Sequence, residues 1–583
     1  MNSIPFPHFF LTDFLCYNNL TGDFLSHLRD ELAALKWRLT STDLYDVYQT
    51  SDLNSVKSDS TSHPFIHALY QFFEADVRQW LERASGVKLK RMSLNGSKYC
   101  HTNTLLPHDD QLEGRAFAFI YYLTPEWRPE FGGRLHLYAI DGSTNDKVSQ
   151  GTANDPPNSS PDINSNSVSY DNSGIEKVKS LLFDMNQSAN GQAEIVKKGV
   201  VKQFASEEGV LSRRNSLQFA PIKSILPAEN AFLFFRVGAN SWHSVEEVLE
   251  ANRERLSING WFYADDVALA PLPDVEPTPP RVCPYPDYSE SEQRFWLNKT
   301  YLSAVNIAKI QQNFTQQMEI LLTNFLKPDI YAAISSELCA MKSDFQRVGP
   351  PENRIVFQLP RDFAPANGTQ LARLLRFLCS ESFFALLSQW TSVGLSRYVE
   401  MESDNEAVVD APAPKRKKLR EADSAYGVHA DEEEESGSST RNNCVDEYNA
   451  DDENESYEVQ FEWSLSRFSH GCYTLVDDRV IERAQRDGHS VEALLFLGTN
   501  EWCDDYGGEV HFFENRDNDD STLRIQPAAN TLAIVFRRPN MNSFTKYVNC
   551  RAGESQFHVF HASIFPSNEN GDENNGTVDE DRN

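Results

Sequence analysis

The stretch EWRPEFGGRLHLY, residues 126–138, recurs as EWCDDYGGEVHFF at 501–513. Each version carries a Glu-Trp pair, an aromatic residue before two glycines, and then a run in which apolar and polar residues alternate. Alternation with a period of two marks a strand with one buried face, and a glycine pair marks a turn. Outward from this anchor the two halves keep matching. LTDFL at 11–15 returns as LTNFL at 322–326, ELAALK at 31–36 as ELCAMK at 337–342, SKYCH at 97–101 as SRFSH at 466–470, and PAEN at 227–230 as PAAN at 527–530. Landmarks repeated in one order describe an internal duplication, two copies of one fold.

Each copy opens with a strand and an amphipathic helix and then passes into short strands. In the first copy these are AFAFIYYL, GGRLHLY, AFLFFRVG and RLSINGWFY, separated by Gly, Pro and Asn turns. Helices first and strands afterwards predict an α+β fold, two tandem two-sheet jelly rolls with flanking helices. Residues 298–345 and 369–393 read as the helices that introduce the second copy. The first domain is expected over 1–265, with a polar insertion at 139–216. A proline-rich linker follows at 266–296, and the second domain at 297–566 is interrupted by an acidic insertion at 401–457. A polar tail closes the chain at 567–583.

The net charge of −31 is concentrated. Residues 401–457 carry 17 acidic and 6 basic side chains and residues 567–583 carry 6 and 1, so about half the excess lies in these two segments. Such composition predicts disorder. A nucleic-acid-binding face is not expected from this balance. The acidic insertion also contains PKRKKLR at 414–420, a basic cluster that reads as a nuclear address or as a charged linker with none; residence in nucleus and cytoplasm is the expectation. The nine cysteines form no CxxC pair, which argues for a reducing compartment and against a thiolate metal site. No apolar run approaches the roughly 20 residues that span a bilayer, and the apolar N-terminus, with two prolines and no basic start, reads as a strand.

The candidate chemistry begins in LLPHDDQLEGR, residues 105–115. On a strand His108 and Asp110 share a face, while Asp109 points away. A third ligand stands in NSWHSVEEVL, where His243 follows the strand AFLFFRVG. Two imidazoles and a carboxylate make the facial triad that holds non-haem Fe(II) and leaves the opposite positions open. Zinc would take the same ligands but prefers four-coordinate geometry. Twelve residues beyond His243 lies Arg255, in RERLSINGWF, with Ser257 on the same side of its strand. A buried arginine calls for an anion, and its planar fork matches a carboxylate. Ligands plus such a clamp suit a dicarboxylic keto acid that chelates the metal at one end and meets Arg255 at the other. Tyr122 could add a hydroxyl to that grip. Taken singly, Arg255 reads as a partner of Glu247 or Glu254, and Tyr122 as core.

With these residues in place, the chain resembles the 2-oxoglutarate- and iron-dependent prolyl hydroxylases that modify a proline of a small-subunit ribosomal protein, the yeast termination/polyadenylation-type oxygenases. The resemblance runs through TDLYDVYQTSDL (42–53), KYCHTNTLLPHDDQLEGRAFAFIYYLTPEW (98–127), GGRLHLY, NSWHSVEEVL and RLSINGWFY, and continues into the second half. It implies that His108, Asp110 and His243 bind iron and that Arg255, with Tyr122, binds 2-oxoglutarate. It implies Fe(II), 2-oxoglutarate, O2 and L-ascorbate as the cofactors and co-substrates. Hydroxylation at C3 of a prolyl residue is expected, with C4 as a further position and an effect on translation. The family's second domain has the same double-stranded β-helix fold and no iron site.

The second half supports that division. It has no His-x-Asp pair at the corresponding point, and aligned on the Phe-Arg strand His243 corresponds to Phe544 and Arg255 to Gln556. The other His-x-Asp pair, His429 with Asp431, lies in the acidic insertion without a strand around it. Two other readings stand beside the prolyl oxygenase: the same chemistry on another protein or a nucleic acid, and a non-catalytic jelly-roll scaffold. Oligomeric state is not legible in the sequence.

Overall fold

A run as uniformly apolar as AFAFIYYL needs cover on both faces, and the fold supplies it. A computed structural model of the chain describes residues 4–15, 21–55, 62–140, 219–265, 267, 280–360, 368–399, 459–476, 478–498, 502–514 and 523–566. In the first half the strands are β1 (His8–Leu11), β2 (Arg38–Ser41), β3 (Asp46–Gln49), β4 (Arg91–Tyr99), β5 (Leu105–His108), β6 (Arg115–Tyr122), β7 (Leu135–Leu137), β8 (Lys223–Ile225), β9 (Ala231–Arg236), β10 (His243–Val245) and β11 (Arg255–Tyr263). They form two sheets, ordered β1-β9-β6-β11-β4-β3-β2 and β5-β10-β7-β8, with antiparallel pairing throughout.

Along β6, Phe117, Phe119 and Tyr121 pack against the helices Thr21–Ala34, Pro64–Phe72 and Arg78–Ser85. Ala118, Ile120 and Tyr122 face inward, into the core shared with the smaller sheet. β11 breaks this economy. Ile258 and Phe262 join the helical side, but the opposite face carries Arg255, Ser257, Asn259 and Trp261. Polar side chains lining the inside of a jelly roll are the local anomaly that marks a site.

The second half has β12 (Glu319–Leu322), β13 (Gln346–Val348), β14 (Arg354–Gln358), β15 (Gln460–Phe468), β16 (Tyr473–Thr474), β17 (Ser490–Leu497), β18 (Val510–Phe513), β19 (Leu523–Ile525), β20 (Thr531–Arg537), β21 (Asn542–Thr545) and β22 (Phe557–Phe565). Its sheets run β12-β20-β17-β22-β15-β14-β13 and β19-β18-β21. The Glu-Trp…Gly-Gly stretch does the same job in each half. Trp127 Nε1 donates to Gly132 O at 2.9 Å, and Trp502 Nε1 donates to Gly507 O at 2.9 Å. Gly132 and Gly507 have φ of +68° and +76°, and a Cβ on either would overlap a carbonyl oxygen, of Glu247 or of Tyr547. Only glycine fits both demands.

Three expectations change. Residues 298–345 are not all helix: the helices Ala304–Gln317 and Pro328–Ala340 flank β12, which pairs with β20. The end of the proline-rich linker belongs to the second half, since Val282 bridges Phe461 and Trp296, on the helix Glu290–Trp296, is buried in that half's core. The Phe-Arg alignment is also out of step. Pairing across the sheets puts Ser543 at the position of His243, because His243 faces Leu137 and Ser543 faces Phe512. It puts Phe557 at the position of Arg255, since Arg255 faces Tyr99 and Phe557 faces Phe468. The PAEN/PAAN anchor gives the right count for His243. The insertions beyond residue 140, the tail, residues 266 and 268–279 of the proline-rich linker and His429 with Asp431 lie outside the described residues. Among the described residues no helix is long and apolar enough to cross a membrane.

His558, at the place of Leu256 in the first half, is fully buried, and neither ring nitrogen has a partner among the described residues. Burial, and then the charge of Arg467, lower its pKa to about 3. As pH falls from about 6.5 towards 3, the unfolded chain takes up a proton that the folded chain refuses, so stability falls with pH. The slope approaches about 1.4 kcal/mol per pH unit for one group. His558→Leu is expected to remove that component. Urea midpoints of the two proteins should diverge steadily between pH 6.5 and 4; parallel curves would contradict the assignment.

Candidate metal centre and anion pocket

β5 and β10 are neighbours, and their register sets His243 opposite His108. The imidazole centroids are 4.1 Å apart. Asp110 reaches them from beyond the strand: β5 ends at His108, and Asp110 takes a left-handed φ of +64°. The expectation that a shared strand face aligns the pair is therefore corrected. A turn, and not the pleat, brings the carboxylate round. Its oxygens lie 3.7 Å from His108 Nε2 and 3.5 Å from His243 Nε2. Donor atoms of all three residues fall within 4.8 Å of one another, an arrangement able to hold a metal ion.

The tautomers suit ligation. His108 Nδ1 lies 3.0 Å from Leu106 O and His243 Nδ1 lies 2.7 Å from Ser241 O, so each ring donates its Nδ1 proton to the backbone and turns its Nε2 lone pair inward. Burial and the neighbouring His108 hold His243 down at about 4, so it is neutral at pH 7. Burial opposes ionisation of Asp110, but His108, His243 and Arg115 outweigh it and keep its carboxyl below the usual range. Arg115, not singled out from the sequence although it ends the quoted stretch, lies 3.2 Å from Asp110 Oδ1 and stacks 3.7 Å above the Trp261 ring. Asp109 points away and bonds Gln111 N and Nε2.

A second group of polar atoms lies deeper. Arg255 is fully buried; its Nε donates to Gly133 O at 2.8 Å and its guanidinium stands between the Tyr99 and Tyr122 rings, 4.9 and 5.2 Å from their centroids. It pairs with neither Glu247 nor Glu254. Glu254 takes Lys98, and Glu247 takes His470. Arg255 Nη2, Tyr122 Oη, Ser257 Oγ and Ser97 Oγ are buried with no hydrogen-bond partner among the described residues. Ser257 lies across from both Ser97 and Tyr122. A cation and three hydroxyls left unsatisfied in one place fit a bound carboxylate. Ser97 and Tyr99 were missed; the pairing of β4 with β11 was the missing information.

The second half keeps a serine, Ser466, at the place of Ser97 but answers four of these residues with apolar ones. By register Tyr99, Tyr122, Arg255 and Ser257 become Phe468, Phe496, Phe557 and Val559, all in one hydrophobic cluster. Phe557 stacks on Phe468 with centroids 5.1 Å apart.

The family model "2OG-Fe(II) oxygenase superfamily" matches residues 92–161 and 209–263, and "Oxoglutarate and iron-dependent oxygenase degradation C-term" matches 292–570. The chain is 29% identical over 550 residues to prolyl 3-hydroxylase OGFOD1 of Xenopus laevis, covering 94% of this chain and 84% of that protein. It is 28% identical over 581 residues to the Mus musculus protein of the same name, covering 97% and 87%. Prolyl 3,4-dihydroxylase OGFOD1 of Ostreococcus tauri is 23% identical over 377 residues, covering 58% of this chain and 57% of that protein. Both halves take part in the two longer matches, and His108, Asp110 and His243 fall inside the oxygenase model. The two family models and the named relatives together support the 2-oxoglutarate- and iron(II)-dependent prolyl hydroxylases as the family of this chain.

Proposed function

We propose that the chain hydroxylates a prolyl residue of a small-subunit ribosomal protein at C3, with C4 of the same residue as a second position, and that this modification acts on translation. Likeness to prolyl 3-hydroxylases along nearly the whole chain is the observation that carries the prolyl substrate. The ribosomal partner rests on the resemblance in TDLYDVYQTSDL and the strands around His108 and His243. The acidic composition suits a basic partner by steering its approach.

His108, Asp110 and His243 would hold Fe(II) on one face and leave the other open. Arg255 would take the far carboxylate of 2-oxoglutarate, with Tyr122, Ser257 and Ser97 donating hydroxyls to it. Iron, 2-oxoglutarate and O2 supply the oxidising power that an unactivated C–H bond requires. The chain contributes placement, charge balance and a dry interior. Tyr99 and Tyr122 wall the anion pocket on both sides of the guanidinium, and Arg115 holds the Asp110 carboxylate through Oδ1. L-ascorbate is the expected accompanying reductant.

The second half reads as a second jelly roll, a copy that filled its pocket with phenylalanines and kept no ligands; matching strand orders support this. The domains are then 1–265 and 297–566, with the segment before 297 packed on the second. The basic cluster at 414–420 would serve nuclear entry of a protein shared with the cytoplasm.

The test is mass spectrometry of the ribosomal protein, or its proline-loop peptide, after incubation with enzyme, Fe(II), 2-oxoglutarate and ascorbate in air. One added oxygen on a proline, lost without 2-oxoglutarate, is expected. Two would identify the dihydroxylase form. Succinate formed without any oxygen on the peptide would keep the oxygenase and discard this substrate.

A further inference from the structure

Glu247 is buried at the boundary between the halves, its side chain 3% exposed, four residues beyond His243. Its carboxylate takes its hydrogen bonds from the second half. His470 Nε2 lies 2.7 Å from Oε2, Tyr547 Oη donates to Oε2 at 3.2 Å, and Cys550 N donates to Oε1 at 2.7 Å. A buried carboxylate is costly unless it is paired and hydrogen-bonded, so the first half presents a charge that the second half satisfies. Beside it, Leu106, two residues before His108, packs into a cluster with Tyr473, Leu475 and Tyr547.

The contact is built from equivalent positions. Glu247 O lies against Gly132 and Tyr547 O against Gly507, so Tyr547 stands where Glu247 would be in the second half, and the two residues touch. His101 and His470 are likewise matched; His470 meets Glu247, and His101 Nε2 lies 3.5 Å from Cys550 Sγ. The halves face each other through like surfaces, as an isologous pair does.

The backbone of Glu247 leads directly to the anion pocket. Glu247 O accepts from Gly133 N at 3.1 Å, and Gly133 O accepts from Arg255 Nε at 2.8 Å. The same segment is pinned to the β4–β5 loop by Val248 N to Asn103 O at 3.0 Å and Thr102 N to Val248 O at 2.8 Å. We propose that Glu247 is a positioning residue through which the second half sets the Gly132–Gly133 turn, and with it the aim of Arg255 at 2-oxoglutarate. The second half is then part of the 2-oxoglutarate site, although it touches no ligand. This inference rests on Arg255 being the clamp.

The test uses the full chain loaded with Mn(II) and kept free of O2, with 2-oxoglutarate affinity read by calorimetry, and KM and kcat read separately in air with iron. Glu247→Ala and His470→Ala are expected to weaken 2-oxoglutarate about tenfold, the scale of losing a partner that orients a ligand-binding group. The weakening should fall on KM, with kcat nearly retained, and Glu247→Gln should recover part of it. His470 is 43% exposed on its side chain, so its variant guards against a folding failure at Glu247. A merely structural role would lower the active fraction and leave affinity unchanged. If Arg255→Gln weakens binding but Glu247→Ala and His470→Ala do not, the coupling is overturned and the clamp stands. If Arg255→Gln leaves binding unchanged, the clamp itself falls, and the coupling with it.

Discussion

Asp110→Ala is expected to abolish hydroxylation and metal retention together, with turnover down roughly a thousandfold or more. Loss of an outer partner of a ligand already costs roughly 10–100-fold, and Asp110 would be the sole anionic ligand. The cluster without it is two imidazoles, neither of which brings negative charge to a metal. Two ring nitrogens offer a divalent hard cation no charge balance. Arg115 makes matters worse: its guanidinium, 3.2 Å from Asp110, would be left beside the metal position as an uncompensated positive charge. Asp109→Ala is the matched control. It removes only the bonds to Gln111, so activity within a few-fold of the parent is expected. Product mass spectrometry and the metal content of purified protein report the two effects. Full activity in Asp110→Ala, or loss confined to Asp109→Ala, would mean that the turn after β5 presents the other carboxylate.

Residue type and order carried most of this site into view, and geometry did not. His108, Asp110, His243 and Arg255 were legible because a strand, a second strand and a third each ended or began on a residue of the right chemistry. The means by which Asp110 arrives was not legible: a left-handed turn leaves no mark in PHDD that a pleated strand would lack. The turn shared by the two halves was visible in EW…GG because glycine and tryptophan at fixed spacing serve a backbone device that tolerates few alternatives. The register between the halves was not visible. A slip of one residue exchanges the two faces of a strand, so anchoring on Phe-Arg gave Phe544 where pairing gives Ser543. Ser97 and Tyr99 escaped notice for one common reason. Each acts across a contact between segments distant in sequence, and each looks locally like an ordinary strand or loop residue.

Arg255→Gln is expected to weaken 2-oxoglutarate by roughly thirtyfold to a few thousandfold. Removing one member of a buried, hydrogen-bonded charge pair costs about 2–5 kcal/mol, and each 1.4 kcal/mol is tenfold. Arg255 is wholly buried; its Nε donates to the neutral carbonyl of Gly133, and Nη2 has no partner among the described residues. No carboxylate pairs with it among the described residues, so the free protein carries an uncompensated cation that the co-substrate would neutralise. Two opposite consequences follow from one substitution. The apo protein should be unchanged or slightly more stable, because a buried charge has gone; the rise in Tm on adding 2-oxoglutarate to the Mn(II)-loaded protein should nearly vanish. A structural arginine predicts the reverse, a less stable apo protein with the ligand response intact. Arg255→Lys should recover little, since an ammonium on a flexible stem cannot reproduce a planar fork held between Tyr99 and Tyr122. The second half shows the alternative solution at the same register. There Phe557 lies between Phe468 and Phe496, 5.1 and 6.1 Å from their centroids, and an interior closed by three aromatic rings has no charge for an anion to answer.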